Sequence, residues 1–120
     1  MYTKKIEEDL NCGLRIGFKI FGGKWKMCIL DAINNGFTRP AEIYRSMPDA
    51  TLRVIEMQLA ELLYFGVVDK YSEDVYPKKT EYRLTNLGKS ILPILSQIDK
   101  WGTEHSAFVK ERLQELDEVQ

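Results

Sequence analysis

The apolar residues of this chain leave helical spacing in one region only. Up to Phe65 they recur at intervals of three and four. Residues 67–71 and 81–84 then read as strands, and from Leu87 onward the helical spacing returns. A lone pair of strands is not stable by itself and must be buried against helices. The pattern therefore predicts a mainly helical α+β domain that carries one two-stranded hairpin.

Punctuation residues divide the helical part. Asn11 is a good N-cap ahead of Leu14, Phe18 and Phe21, and Gly22-Gly23 ends that helix by accepting a left-handed conformation. Trp25, Cys28/Ile29 and Ala32/Ile33 form one stripe, which predicts a second helix over residues 24–33 with Cys28 in the core. Asn34-Asn35-Gly36 closes it in a turn. Thr38 is the expected cap of a short third helix, with Pro40 in its first turn and Ile43 and Met47 facing inward.

After the Pro48-Asp49 break, Thr51 caps a fourth helix. Its Leu52, Ile55, Leu59 and Leu62 face the core, and it runs to about Phe65 with Gly66 at its exit. Residues 72–80 carry Pro77 and charges, so they form an exposed hairpin loop. Thr85 caps the last helical stretch, whose stripe runs through Ile91, Ile94/Leu95, Ile98 and Trp101. It continues through His105, Phe108, Arg112, Leu113 and Leu116, with Pro93 as a kink and Gly102 as a point of division.

This order describes a single domain over residues 1–120 with the architecture of a winged helix-turn-helix. The helix-turn-helix lies at about 38–65, the two-stranded wing at about 67–84, and C-terminal dimerisation helices at about 86–116. The second helix of such a pair fits the major groove of B-DNA, which is about 12 Å wide. The ribbon reaches a neighbouring phosphate or the minor groove. The stripe from Ile91 to Leu116 is longer than a small core requires, and pairing with a second copy is its favoured use over folding back.

Composition bears on partners. The 120 residues include 17 basic and 18 acidic ones, for a net charge of −1, which argues against nucleic acid. The acidic excess is local, however, because residues 102–120 hold two basic and five acidic side chains. The remainder is weakly basic. No apolar run approaches bilayer length and the first ten residues have no leader pattern, so a cytoplasmic protein is expected. Cys12 and Cys28 are too few for a disulfide scaffold and not spaced for a metal, and His105 is the single histidine. No metal, no cofactor and no catalysis are expected.

Four segments carry a family resemblance. They are Cys12 with Gly22-Gly23-Lys24-Trp25, the helix end Gln58-Leu59-Ala60-Glu61-Leu62, the strand Glu81-Tyr82-Arg83-Leu84-Thr85 with Gly88, and Trp101-Gly102 with Glu104-His105. Together, in order, they resemble the HxlR-type winged-helix transcriptional regulators, relatives of the MarR group. The resemblance implies a bacterial homodimer that binds double-stranded operator DNA, as a repressor, with a small molecule or oxidant as effector. It implies pairing through the terminal helices, here with Leu14, Phe18, Ile98, Trp101, His105 and Phe108 in the interface, and it puts Cys12 at the position used for sensing oxidants or electrophiles. This chain departs from the family pattern at Glu56, where Thr is common, at Ala60, where Arg is common, and at the wing, where Lys78-Lys79 follow a single Pro77.

With the stripe of the fourth helix inward, Arg53, Glu56, Met57 and Ala60 lie outward. Arg53 suits a guanine or a phosphate, while Met57 and Ala60 suit a thymine methyl. Glu56 suits a cytosine amine or repels phosphate. Gln58 joins this reading set, Thr51 anchors a phosphate, and Lys78 and Lys79 grip the flank. Arg39, Lys24 and Lys26 are further phosphate candidates. A helix N-terminus together with Arg15 or Lys4-Lys5 favours the Cys12 thiolate. Other readings stay open from the residues alone. They are an ordinary solvated helix face, an inert Cys12, a protein- or ligand-binding module without DNA affinity, and an enzyme pairing Cys12 with His105.

Overall fold

The computed structural model describes residues 10–77 and 79–119. The chain forms two compact units, Met1–Lys89 and Ser90–Gln120. The described part of the first unit contains α1 (Gly13–Phe21), α2 (Lys26–Asn34), α3 (Pro40–Ser46), α4 (Leu52–Tyr64), β1 (Val68–Ser72), β2 (Thr80–Leu84) and the first turn of α5 (Asn86–Glu104). The second holds the rest of α5 and α6 (Ser106–Val119). The winged helix-turn-helix is thus present, with α3 and α4 as the helix pair and β1–β2 as the wing.

The core of the first unit is aliphatic. Ile29, Leu30, Ile43, Ile55, Leu59, Leu62, Val67 and Val68 have no exposed surface. Each such side chain contributes roughly 1.5–3 kcal/mol by leaving water. The central element is α2, which packs on α3, α4 and β2. Its buried arc therefore takes in Leu30, outside the predicted stripe, and leaves Cys28 exposed rather than in the core. Leu52 also differs from expectation, being 40% exposed. As the first residue of α4 it lies at the rim, a turn before the apolar contacts of Ile55 begin. Met47 is half-buried.

Helix ends follow local chemistry, with three shifts. Thr51 caps α4, its Oγ1 accepting from Val54 N at 3.1 Å. Cys12, not Asn11, is the N-cap of α1, and its carbonyl accepts from Ile16 N. Gly23 takes the left-handed conformation after α1, whereas Gly22 is extended. Thr38 does not cap α3; its carbonyl accepts from Tyr82 N of β2 at 2.8 Å, which ties it to the wing. Arg39 is the cap instead, its N–H donating to the Glu42 carboxylate at 3.0 Å.

The junction of α4, the wing and α5 is fastened at three points. Gly66, at φ +75°, closes a Schellman motif in which Val67 N donates to Leu62 O and Gly66 N to Leu63 O. The strands pair antiparallel, with Val68 opposite Leu84 and Ser72 opposite Thr80. Thr85 then caps α5 by accepting from Gly88 N, while its hydroxyl donates to Gly66 O at 2.6 Å. A Cβ on Gly88 would run into the Val67 carbonyl oxygen, so glycine lets the two segments close.

In the second unit Pro93 lies inside α5, and the helices divide at His105 rather than at Gly102. His105 stacks on Trp101, with ring centroids 4.2 Å apart, and its Nδ1–H donates to Trp101 O at 2.8 Å. Among the described residues no helix is long and apolar enough to cross a membrane.

Candidate nucleic-acid interface

The fully buried trio Ile55, Leu59 and Leu62 fixes the rotation of α4 about its axis. Arg53, Glu56, Met57 and Ala60 are consequently exposed together, as their spacing predicts, and Thr51 is exposed at the helix start. Gln58 is half-buried, at the edge of this face rather than at its centre. The face offers one guanidinium, one carboxylate and two apolar side chains, so its net charge is low.

The basic residues differ in how free they are to meet phosphate. Lys26 is a correction: it is 8% exposed, with Nζ 2.6 Å from Glu61 Oε2 on α4, so its charge is spent inside the unit. Lys24 is exposed and lies over the Trp25 ring at 4.7 Å. Arg39 is half-buried near Glu81. Lys79 is exposed at the wing, and its carbonyl accepts from Glu73 N at 3.0 Å. Lys78, together with Lys4 and Lys5, lies outside the described residues.

The wing carries a charged cluster that periodicity did not reveal. Arg83 Nη2 donates to Glu81 Oε2 at 3.0 Å, and the guanidinium lies 4.6 Å from the Tyr71 ring centroid. The hydrogen bond from Arg83, with the positive charges of Arg83 and Arg39 and the Thr38 hydroxyl, holds the Glu81 carboxyl below its ordinary range. The signal was available in the alternation of Glu81 and Arg83 on one strand face, but their partner Tyr71 is known only from the strand register.

Elsewhere, Cys12 is half-buried at the start of α1, and both cysteines are free thiols. Cys28 lines an open cavity of about 370 Å³ with Asp31, Ala32, Asn35, Phe37, Ser46 and Met47. On α1, Leu14 is 87% and Phe18 69% exposed. On α5, α6 and the residue between them, Ile98, Trp101, Phe108 and His105 are all exposed. Among the described residues no group of three or more His, Cys, Asp or Glu could hold a metal ion.

Comparison with known proteins gives this arrangement a family. Residues 20–110 match the family model described as HxlR-like helix-turn-helix. The uncharacterized HTH-type transcriptional regulator YkvN of Bacillus subtilis (strain 168) is 36% identical over 95 residues, 79% of this chain and 80% of that protein. YtcD of the same organism, also an uncharacterized HTH-type regulator, is 35% identical over 99 residues, 82% of this chain and 79% of its own. Among solved structures, the redox regulator HypR in its reduced form superposes with a TM-score of 0.78 at 30% identity, covering 83% of this chain and 99% of that one. A crystal structure of YtcD gives 0.75 at 33% identity, covering 80% and 98%. With an intact helix pair, a two-stranded wing and an outward-facing α4, the chain belongs to the HxlR-like helix-turn-helix family of DNA-binding transcriptional regulators and is not an enzyme.

Proposed function

We propose that this regulator is a homodimeric repressor that covers its operator through two copies of α4 and is released by chemistry at Cys12. The observation that carries the reading is the orientation of α4: its apolar trio is wholly buried and Arg53, Met57 and Ala60 are left unpacked on the outside. In this reading Arg53 contacts a guanine edge or a phosphate, Met57 and Ala60 meet thymine methyls, and Gln58 contributes from the edge. Thr51, Arg39, Lys78 and Lys79 take phosphates and set the register. The exposed Leu14 and Phe18, and the exposed Ile98, Trp101, His105 and Phe108, supply the apolar surface for pairing with a second copy.

Cys12 is the half-buried N-cap of α1, the helix that carries the exposed Leu14. With hydrogen peroxide its thiol gains one oxygen to become a sulfenic acid while the peroxide is reduced and one water leaves. A polar group formed beside the paired α1 helices alters their packing and therefore the spacing of the two α4 helices. That a similar protein is a redox regulator supports this reading.

The test is selection of genomic fragments by the purified protein, with and without peroxide, alongside Cys12→Ser. The expected result is one enriched sequence class, lost on oxidation in the parent and retained in Cys12→Ser. A folded dimer that selects no DNA at low salt would overturn the reading in favour of a protein- or ligand-binding module.

A further inference from the structure

We infer that Glu81 is a built-in competitor of DNA phosphate, holding the wing residue Arg83 until the DNA backbone takes its place. The inference rests on the DNA-binding reading above and concerns what sets the strength of that binding.

The strand register brings the participants together. Tyr71 lies opposite Glu81, and Asp69 opposite Arg83. Side chains two apart on a strand share a face, so Glu81 and Arg83 stand with Tyr71 and Asp69 on one side of the wing. Buried Val68 and Tyr82 occupy the other side. This charged face is therefore fixed by the packing of its opposite face, and it cannot turn inward without exposing that pair.

Arg83 is built to bind an anion and is presently occupied by one. Its side chain is 59% exposed, and the contact to Glu81 runs through Nη2. A guanidinium has five N–H donors in a planar fork suited to two phosphate oxygens. The Tyr71 ring centroid lies 4.6 Å from the guanidinium carbon, which gives Arg83 a second partner besides Glu81. The arginine therefore keeps one partner when Glu81 gives way. Its charge lies where a phosphate on Nη2 would lie, so the two anions repel. An exposed pair of this kind is weak and screened by salt, which makes the exchange cheap. The Thr38 hydroxyl, 3.5 Å from Glu81 Oε1, remains as its partner once Arg83 leaves it.

Because a phosphate contact is independent of sequence, a short duplex of arbitrary sequence suffices as the probe. Binding would be measured by fluorescence anisotropy across a salt series for the parent chain, Glu81→Gln, Arg83→Met and the double variant. Glu81→Gln should bind about threefold to tenfold tighter at low salt, with a salt slope steeper by roughly one. Arg83→Met should bind more weakly with a shallower slope, and the double variant should match it.

Three outcomes would overturn the inference while leaving DNA binding intact. They are a folded Glu81→Gln that binds no tighter, a gain of the same size in the Arg83→Met background, and an Arg83→Met slope equal to the parent's. The exposed Arg83→Met change keeps the test decisive should Glu81→Gln fold poorly. A parent chain that binds no duplex at low salt would overturn the underlying reading as well.

Discussion

The Lys26 ammonium on α2 lies 2.6 Å from the Glu61 carboxylate on α4, joining the central helix of the first unit to the helix that exposes Arg53, Glu56, Met57 and Ala60. The lysine is buried while Glu61 is half-exposed, so the two partners are not equivalent. Removing the carboxylate strands a buried charge, whereas replacing the lysine with an apolar chain of similar length does not.

The first prediction follows from that asymmetry. Glu61→Gln should destabilise the fold by about 1–2 kcal/mol, and Lys26→Met should be neutral within about 1 kcal/mol. Urea unfolding of the two variants checks the order. Equal losses would show that the pair's value does not lie in the burial of Lys26.

Two glycines should respond with opposite signs to the same change. Gly88→Ala drives a methyl into the Val67 carbonyl and should cost at least about 2 kcal/mol through displacement of the wing–α5 junction. Gly102, inside α5 with open space where a Cβ would stand, should gain about 0.5–1 kcal/mol as alanine. Thermal melts report both, and a loss at Gly102 would place that position in an interface between copies.

Glu81 should shape the acid limb of stability. Its carboxyl is held below the ordinary value of 4.5, first by the Arg83 hydrogen bond. The folded state therefore favours the carboxylate, and the associated stability is fully present above pH 4.5. It is lost as pH falls through the lowered folded value. Glu81→Gln should have a flatter melting-temperature profile below pH 4.5 than the parent chain, and parallel profiles would show that the interaction does not survive in solution.

Pairing of two copies should depend on side chains that the chain itself leaves uncovered. Leu14→Glu changes a residue with almost no buried surface and should leave the fold of the first unit intact. It should shift sedimentation from dimer to monomer and weaken DNA binding together. A dimer that persists at unchanged strength would exclude α1 from the contact.

The fold was largely legible because its signals are local. Pro40 at a helix start, Thr51 and Thr85 at caps and Gly66 at a C-terminus each act through groups within a few residues. Where the reading failed, the deciding group was distant. Thr38 lost its capping role to a bridge with Tyr82, and Cys28 was displaced from the core because α2 is surrounded by three elements. A single helical stripe describes packing against one neighbour only.

From the sequence alone came the element order, the family resemblance and the outward placement of Arg53, Glu56, Met57 and Ala60, since helical period and capping chemistry suffice for these. Tertiary structure alone decided which charges are free. Lys26 passed from phosphate candidate to buried partner of Glu61, and Arg83 from a strand residue without an assigned role to the centre of a cluster with Tyr71 and Glu81. The Lys26–Glu61 pair depends on distance in space between two helices, and the Arg83–Tyr71 contact on the strand register, and no spacing along one element encodes either.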